Sequence, residues 1–259
     1  MPATNHKDLA PQRWDNLRTL IHSSGVIRIE DICRQLKVSP ATVRRDLDQL
    51  EQDGAIRRVH GGAVSVEGRL DEPLFDDKTS IAIHEKRNIA EAALKLIKPG
   101  DTIFLDGGST VLELARLLRE RTNLTVVTNS LRAGLELAGR GPRLFLIGGE
   151  LRRLSQTMVG PLTRLLLNEL HLDKAFMGTI GFTLNDGLTT TEPGEAYTKE
   201  IVMDQAQQVI VLADSSKAGK ISFARAGHWN KIHVLITDNK LEKEFAKELI
   251  NNGIKLVRT

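Results

Sequence analysis

The sequence predicts an α/β chain: a mostly parallel sheet with helices on both faces, preceded by a small helical module that ends in a hairpin. Three observations lead there. From Asp101 onward, short runs rich in β-branched residues, such as "TIFLD", "LTVVT" and "QVIVLAD", alternate with segments of helical period. Those runs are apolar throughout, which is how strands read when both sheet faces are covered. The first 66 residues instead carry three short helical patterns and two alternating strands around a "GG" turn.

Composition sets outer bounds. A chain of 259 residues suffices for one large domain, or a small and a medium one, with a substantial core. Hydrophobic and charged fractions of 41% and 27% are those of ordinary globular proteins. No apolar run reaches the ~18 residues of a membrane span, so no membrane partner is expected. The opening "MPATNHKDLAPQRWDN" lacks the apolar centre of a secretory signal. The single Cys33 excludes an internal disulfide framework and reads as a small core residue. Together these predict a cytoplasmic protein. Net charge is only +3, from 36 basic and 33 acidic residues. A nucleic-acid partner therefore has to be argued from local arrangement.

Residues 1–66 supply that arrangement. Trp14, Leu17, Leu20 and Ile21 recur at helical spacing, and Ser23, Ser24 and Gly25 end the pattern. "VIRI" alternates like a short strand, and "EDICRQLK" forms a second helix that buries Ile32 and Leu36. The next helix opens at "SPATVRRDLDQLEQDG", with Ser39 as N-cap, Pro40 at the first helical position and Gly54 as the stop. Val43, Leu47 and Leu50 take its inner face. Its exposed face carries Ala41, Thr42, Arg44 and Arg45 toward the N-terminus, with Asp46, Asp48 and Glu51 further along. That polarity suits a helix entering a major groove N-terminus first, where small and hydroxyl groups reach bases and arginines reach guanine edges or phosphates. Short helix, tight turn and capped helix make a helix-turn-helix. "AIRRVHGGAVSV" then adds a wing that offers Arg57, Arg58 and His60 to a phosphate backbone or a minor groove. Double-stranded DNA is the predicted partner.

Residues 67–80, "EGRLDEPLFDDKTS", are acidic, contain Pro73 and lack periodicity. They read as a linker, with Leu74 and Phe75 available to dock on a neighbour. Residues 81–259 form the larger domain, beginning with the amphipathic helix "IHEKRNIAEAALKLIKPGD". Its strands continue through "RLFLIGG", "KAFMGTIG", "HVLITD" and "IKLV".

Ligands of open α/β sheets gather at strand carboxyl ends. Four of these ends share one chemistry: "DGGST" at 106–110, "TNS" at 128–130, "GGE" at 148–150 and "ADSSK" at 213–217. Glycines admit a ligand close to the backbone, while hydroxyls and free N–H groups donate to anionic oxygens. The helix start after Ser109 adds its dipole. Lys217 and Lys199 supply positive charge. A small phosphorylated ligand follows. The loop is not a P-loop and G-x-G-x-x-G is absent, so a dinucleotide is not expected; no cofactor and no metal site is predicted. An isomerase or deaminase with an accessory DNA-binding domain is the competing reading, with Asp106 and Glu150 as its carboxylates. Of the seven histidines, none lies in the four motifs; His171 and His228 sit in connections and His233 inside an apolar strand. A DNA-binding module joined to an anion site favours a sensor over an enzyme, and the anion-ready strand ends disfavour a purely architectural DNA binder.

"VSPATVRRDLDQLEQDGAIRRVHGGA" resembles the N-terminal signature of the DeoR family of bacterial transcriptional regulators. "FLDGGST", "VVTNSL", "IGGELRR", "MVGP" and "LADSSK" resemble, in order, the sensor domain of that family, so the likeness covers nearly the whole chain. It implies a recognition helix from Pro40 to about Gln52. It implies a sensor similar in fold to ribose-5-phosphate isomerase and glucosamine-6-phosphate deaminase, binding a phosphorylated sugar or related metabolite that alters operator binding. By that similarity Asp106, Gly107, Gly108, Ser109, Thr110, Asn129, Ser130, Lys199 and Lys217 are ligand-site candidates, beside Gly148 and Gly149 from the strand-end pattern. The family commonly carries an acidic pair near "EPGEAYTK", whereas here Pro193 and Gly194 precede Glu195. The expected protein is a repressor of a carbohydrate-metabolism operon, a dimer or tetramer placing two winged modules in successive major grooves.

Overall fold

A computed structural model of the chain describes residues 10–24, 26–52, 56–59, 62–64, 72 and 74–259. The chain divides into two compact units, Met1–Arg69 and Leu70–Thr259.

In the first unit, α1 (Ala10–Ser24) and β1 (Val26–Arg28) precede α2 (Ile29–Leu36) and α3 (Pro40–Gln52). Strands β2 (Arg57–Val59) and β3 (Gly62–Val64) follow. β3 lies between β1 and β2 and is antiparallel to both. "VIRI" thus contributes the third strand of the hairpin sheet. Leu17, Ile21, Ile32, Val43, Leu47, Leu50 and Ala63 fill the core, so the apolar face expected of α3 is the buried one. Lys37, at φ 53°, ends α2 and turns the chain toward α3. Ser39 then caps α3: its Oγ accepts from the Thr42 amide at 3.2 Å.

Asp46 differs from expectation. It is buried, not exposed, because Arg13 Nε donates to it at 2.6 Å and Trp14 Nε1 at 2.8 Å. A carboxylate can sit inside this small core only with such donors.

The second unit opens with α4 (Phe75–Ser80), α5 (Ile83–Leu94), β4 (Thr102–Leu105), α6 (Ser109–Leu117), β5 (Thr125–Thr128) and α7 (Leu131–Leu137). It continues with β6 (Arg143–Leu146), β7 (Glu150–Arg152), β8 (Thr157–Val159), α8 (Leu162–Leu167), β9 (Leu172–Met177), β10 (Gly181–Thr183) and β11 (Gly187–Thr190). It closes with α9 (Pro193–Gln205), β12 (Ala206–Leu212), β13 (Ala224–Gly227), β14 (Val234–Thr237), α10 (Lys243–Asn251) and β15 (Lys255–Arg258). Seven strands form one parallel sheet in the order β15-β14-β12-β9-β4-β5-β6.

Alternate residues of each strand feed two separate cores. Phe104, Val127, Met177, Val209 and Val211 face α9 and α10 residues such as Val202 and Leu249. Ile103, Leu105, Val126, Phe176 and Ile210 face Ile89, Leu114 and Leu137 of α5, α6 and α7. Both faces are dry, which is why the strands read as unbroken apolar runs.

The sheet order also locates the site. From β4 the chain moves outward to β5 and β6, then returns to β9 on the other side of β4 and runs out to β15. The carboxyl ends of β4 and β9 therefore flank the topological switch point, where open α/β sheets bind ligands. Two small antiparallel assemblies, β7 with β8 and β10 with β11 and β13, sit apart from the main sheet.

Within the expected linker 67–80, the described part is ordered. Residue 72 and residues 74–80 belong to the second unit. Phe75 is buried in its core, and α4 packs on α6.

Candidate functional site

A cavity opens at the β4/β9 switch point, with about 890 Å³ of space including its mouth. Asp106, Gly107, Gly108, Ser109, Thr110, Asn129, Lys199 and Lys217 all line it. The strand-end motifs of β4, β5 and β12 thus converge. Gly107 is required by contact: a Cβ there would meet the Thr157 methyl at 2.2 Å. Gly108, the N-cap of α6 at φ 119°, adopts a backbone that other residues rarely tolerate. Past it, the first-turn amides of α6 have no intrahelical acceptors and open on the cavity.

Asp106 and Lys199 form a buried ion pair. Lys199 Nζ also donates to the Gly178 carbonyl at 2.9 Å, and the Gly178 amide donates to Asp106 Oδ2 at 2.9 Å. This ring of contacts fastens the ends of β4 and β9 together through α9. Burial pushes the Asp106 carboxyl above its usual range, with Lys199 opposing. The Lys199 and Gly178 contacts both fall on Oδ2, which orders the loop, and Asp106 also lines the cavity.

Asn129 Nδ2 donates to the Met158 carbonyl at 3.0 Å, while Asn129 Oδ1 is buried and has no partner among the described residues. An unsatisfied acceptor in a cavity wall suits a hydroxyl donor. Lys217 ends the short turn Ser215–Lys217, which is held by Asp214 accepting from the Ser216 amide at 3.1 Å and Asp238 accepting from the Ser215 amide at 2.7 Å. Burial lowers the pKa of Lys217.

Three strand-end residues lie elsewhere. The Ser130 hydroxyl caps α7 by accepting from the Ala133 amide at 3.3 Å. Gly148 and Gly149 follow β6, outside the cavity; Gly149 packs closely on Thr163 and the Val159 carbonyl. β6 is an edge strand of the sheet, one position beyond β5. Glu150 is exposed on β7 and also outside the cavity.

Several lining residues escaped the sequence reading. Lys86 of α5 is buried, lines the cavity and donates to the Lys78 carbonyl. Burial, and then the neighbouring Lys217, bring its pKa down to about 8, against the pull of Asp214. Its spacing to Ile89, Ala90 and Ala93, all buried, marked it as an inward position. Glu72 and Lys78 line the same wall and pair with each other. Glu195, also lining, accepts from Thr190 Oγ1 at 2.8 Å and Arg152 Nη1 at 3.0 Å. Glu192 instead caps α9, accepting from the Gly194 amide at 3.4 Å.

In the first unit Ala41, Arg44 and Arg45 are exposed on α3, beside half-exposed Thr42 and the Ser39 cap. Arg58 is committed elsewhere: it pairs with Asp48, and its amide donates to Glu51 at 2.8 Å, tying β2 to α3. Arg57 is in β2, but its side chain, like His60, lies outside the described residues.

Two family models match this chain: the DeoR-like helix-turn-helix domain over residues 13–69 and the DeoR C terminal sensor domain over residues 81–239. The chain belongs to the DeoR family. It is 34% identical over 96% of its length to the HTH-type transcriptional regulator GlpR of Haloferax volcanii, covering 98% of that protein. A lactose phosphotransferase system repressor of Staphylococcus epidermidis is 37% identical, with 95% and 98% of the two chains covered. A putative aga operon transcriptional repressor of Escherichia coli O157:H7 is 30% identical over 95% of this chain and 93% of that one. Ribose 5-phosphate isomerase A of Methanocaldococcus jannaschii overlaps 51% of this chain and 53% of its own at a TM-score of 0.39 and 24% identity. The DeoR-family relatives are regulators, not enzymes, so this chain is a DNA-binding transcriptional regulator and the isomerase reading is set aside. Among the described residues no helix is long and apolar enough to cross a membrane.

Proposed function

We propose that this DeoR-family regulator represses a carbohydrate-metabolism operon and that a phosphorylated sugar or related metabolite in the β4/β9 cavity modulates its operator binding. One observation carries the effector class. The cavity joins the amides of an α-helix N-terminus and two lysines, Lys86 and Lys217, to the unsatisfied Asn129 Oδ1. Cations and helix amides suit a phosphate; an orphaned acceptor suits a sugar hydroxyl. The names of the lactose and aga relatives support the repressor reading.

At the DNA, Thr42, Arg44 and Arg45 read base edges beside Ala41, and Arg57 with Arg58 contacts phosphates. Arg58 must exchange Asp48 for phosphate to do so. A homodimer or tetramer in the cytoplasm places two α3 helices in grooves about 34–36 Å apart or a multiple of that. In this reading the DNA-binding domain is residues 1–66, the sensor domain is residues 81–259, and the described part of the linker between them packs with the second unit.

Thermal unfolding with a panel of sugar phosphates tests the effector class. A cognate ligand at a hundredfold excess over Kd stabilises by about 2.7 kcal/mol, a shift of several degrees in Tm, without being consumed. Turnover of the ligand, or no shift with any sugar phosphate, would contradict the proposal.

A further inference from the structure

We infer that residue 72 and residues 74–80 are a strap that closes one wall of the effector cavity and ties its occupancy to the tether of the DNA-binding unit. The inference rests on the cavity being the effector site. The strap starts just past the Arg69/Leu70 boundary, so it is the first part of the sensor that the tether reaches.

Its attachment has an apolar and an ionic half. Phe75 is fully buried against the α5–α6 side of the sheet, with the Arg132 guanidinium 5.7 Å from its ring centre. Arg132 Nε also donates to Gln156 at 2.6 Å, linking α7 to the β7–β8 loop. Glu72 is the ionic half, its side chain only 2% exposed. One oxygen accepts from Lys78; the other accepts from Arg152 Nη2 at 2.7 Å and from Thr191 Oγ1. Arg152 reaches on to Glu195, a cavity residue.

Glu72, Phe75, Lys78 and Ile81 all line the cavity. Lys86 bonds the strap backbone directly, through the Lys78 carbonyl. A ligand filling the cavity gains these contacts only while the strap is docked. By linkage, occupancy then stabilises docking, and docking raises affinity by the same factor. Glu72 is a positioning residue here: it latches the wall without itself needing to touch ligand. Two carboxylates around one arginine also make the latch releasable, since Arg152 keeps Glu195 if Glu72 leaves.

Hydrogen exchange on the full-length protein, with inorganic phosphate as the probe anion, tests this. Phosphate should slow exchange at residues 107–111 and also at residues 75–80, the latter by about fivefold or more, the lower end of ordinary coupling. In Glu72→Gln, protection at 107–111 persists at higher phosphate, while the phosphate response at 75–80 is lost. Protection at 107–111 without 75–80 in the wild type would overturn the strap and leave the effector site standing. An unchanged response at 75–80 in Glu72→Gln would also overturn it. Protection at neither segment would overturn the effector site itself, and the strap with it.

Discussion

Asp106 and Lys199 form the buried pair that ties the ends of β4 and β9 together at the cavity. Both are buried and each satisfies the other. Removing one partner leaves an uncompensated buried charge, a loss of about 3–5 kcal/mol. Asp106→Leu and Lys199→Met should each destabilise the sensor by that order in chemical denaturation, and the double variant by clearly less than their sum. Additivity would mean the pair is not coupled. Lys86 is the residue with a pH signature. Its pKa of about 8 lies below the ordinary 10.5 because burial disfavours the charged form. The unfolded chain therefore binds the extra proton between these values, and Lys86 contributes stability that rises with pH from about 8 to 10.5. An anion beside Lys86 favours the protonated form, so affinity for sulfate, whose charge is constant in this range, should fall as pH climbs through about 8. Lys86→Met should abolish that inflection; an unchanged profile would place the anion elsewhere. On α3, Arg44→Ala should cost operator binding about 1–3 kcal/mol while sparing random DNA. Equal loss on both would make it a backbone contact.

Elements were legible where a local pattern decides the structure. Inner strands such as β4, β5 and β14 announce themselves because their apolar runs are buried on both faces, and α3 does so because Ser39, Pro40 and its inner face agree. The three-residue strands of β7, β8 and β10 carry too few side chains to impose a period. Asp46 read as exposed because its donors Arg13 and Trp14 lie on another helix. Asp46→Ala should loosen α3 from α1 and cost the first unit about 1.5–3 kcal/mol, the range for hydrogen bonds to a charged group. Thermal melts of residues 1–69 within the intact chain, followed by Trp14 fluorescence, would show it, and an unchanged melt would refute the tie. The docking of α4 and Glu72 was hidden for a similar reason: Glu72 and Arg152 are 80 residues apart. Burial raises the Glu72 pKa, but Lys78 and Arg152 outweigh it and bring the value from 4.5 to about 2. Its stabilisation is fully present above pH 4.5 and is lost as pH falls toward about 2. The stability gap between wild type and Glu72→Gln should therefore close over that window.

At the scale of the whole molecule, the motifs at the ends of β4, β5 and β12 were legible as one site because sheet topology brings strand ends together. Gly148 and Gly149 share the composition of those ends but follow β6 at the sheet edge, outside the cavity lining. What no local pattern could show was strand order, and with it which of the four ends meet. In the proposed function, an operator-reading unit and an effector cavity are joined by the chain that runs from one to the other. To reverse operator occupancy fully, an effector must favour one state by about 5.5 kcal/mol, although 1–3 kcal/mol already changes affinity five- to 150-fold. The most direct measurement is operator affinity of the full-length protein, at fixed salt, across a titration of sugar phosphates and of the same sugars without phosphate. The account predicts that at least one sugar phosphate shifts operator affinity about tenfold or more while its unphosphorylated counterpart does not. Operator affinity that is indifferent to every sugar phosphate, or that responds equally to the free sugar, would contradict it.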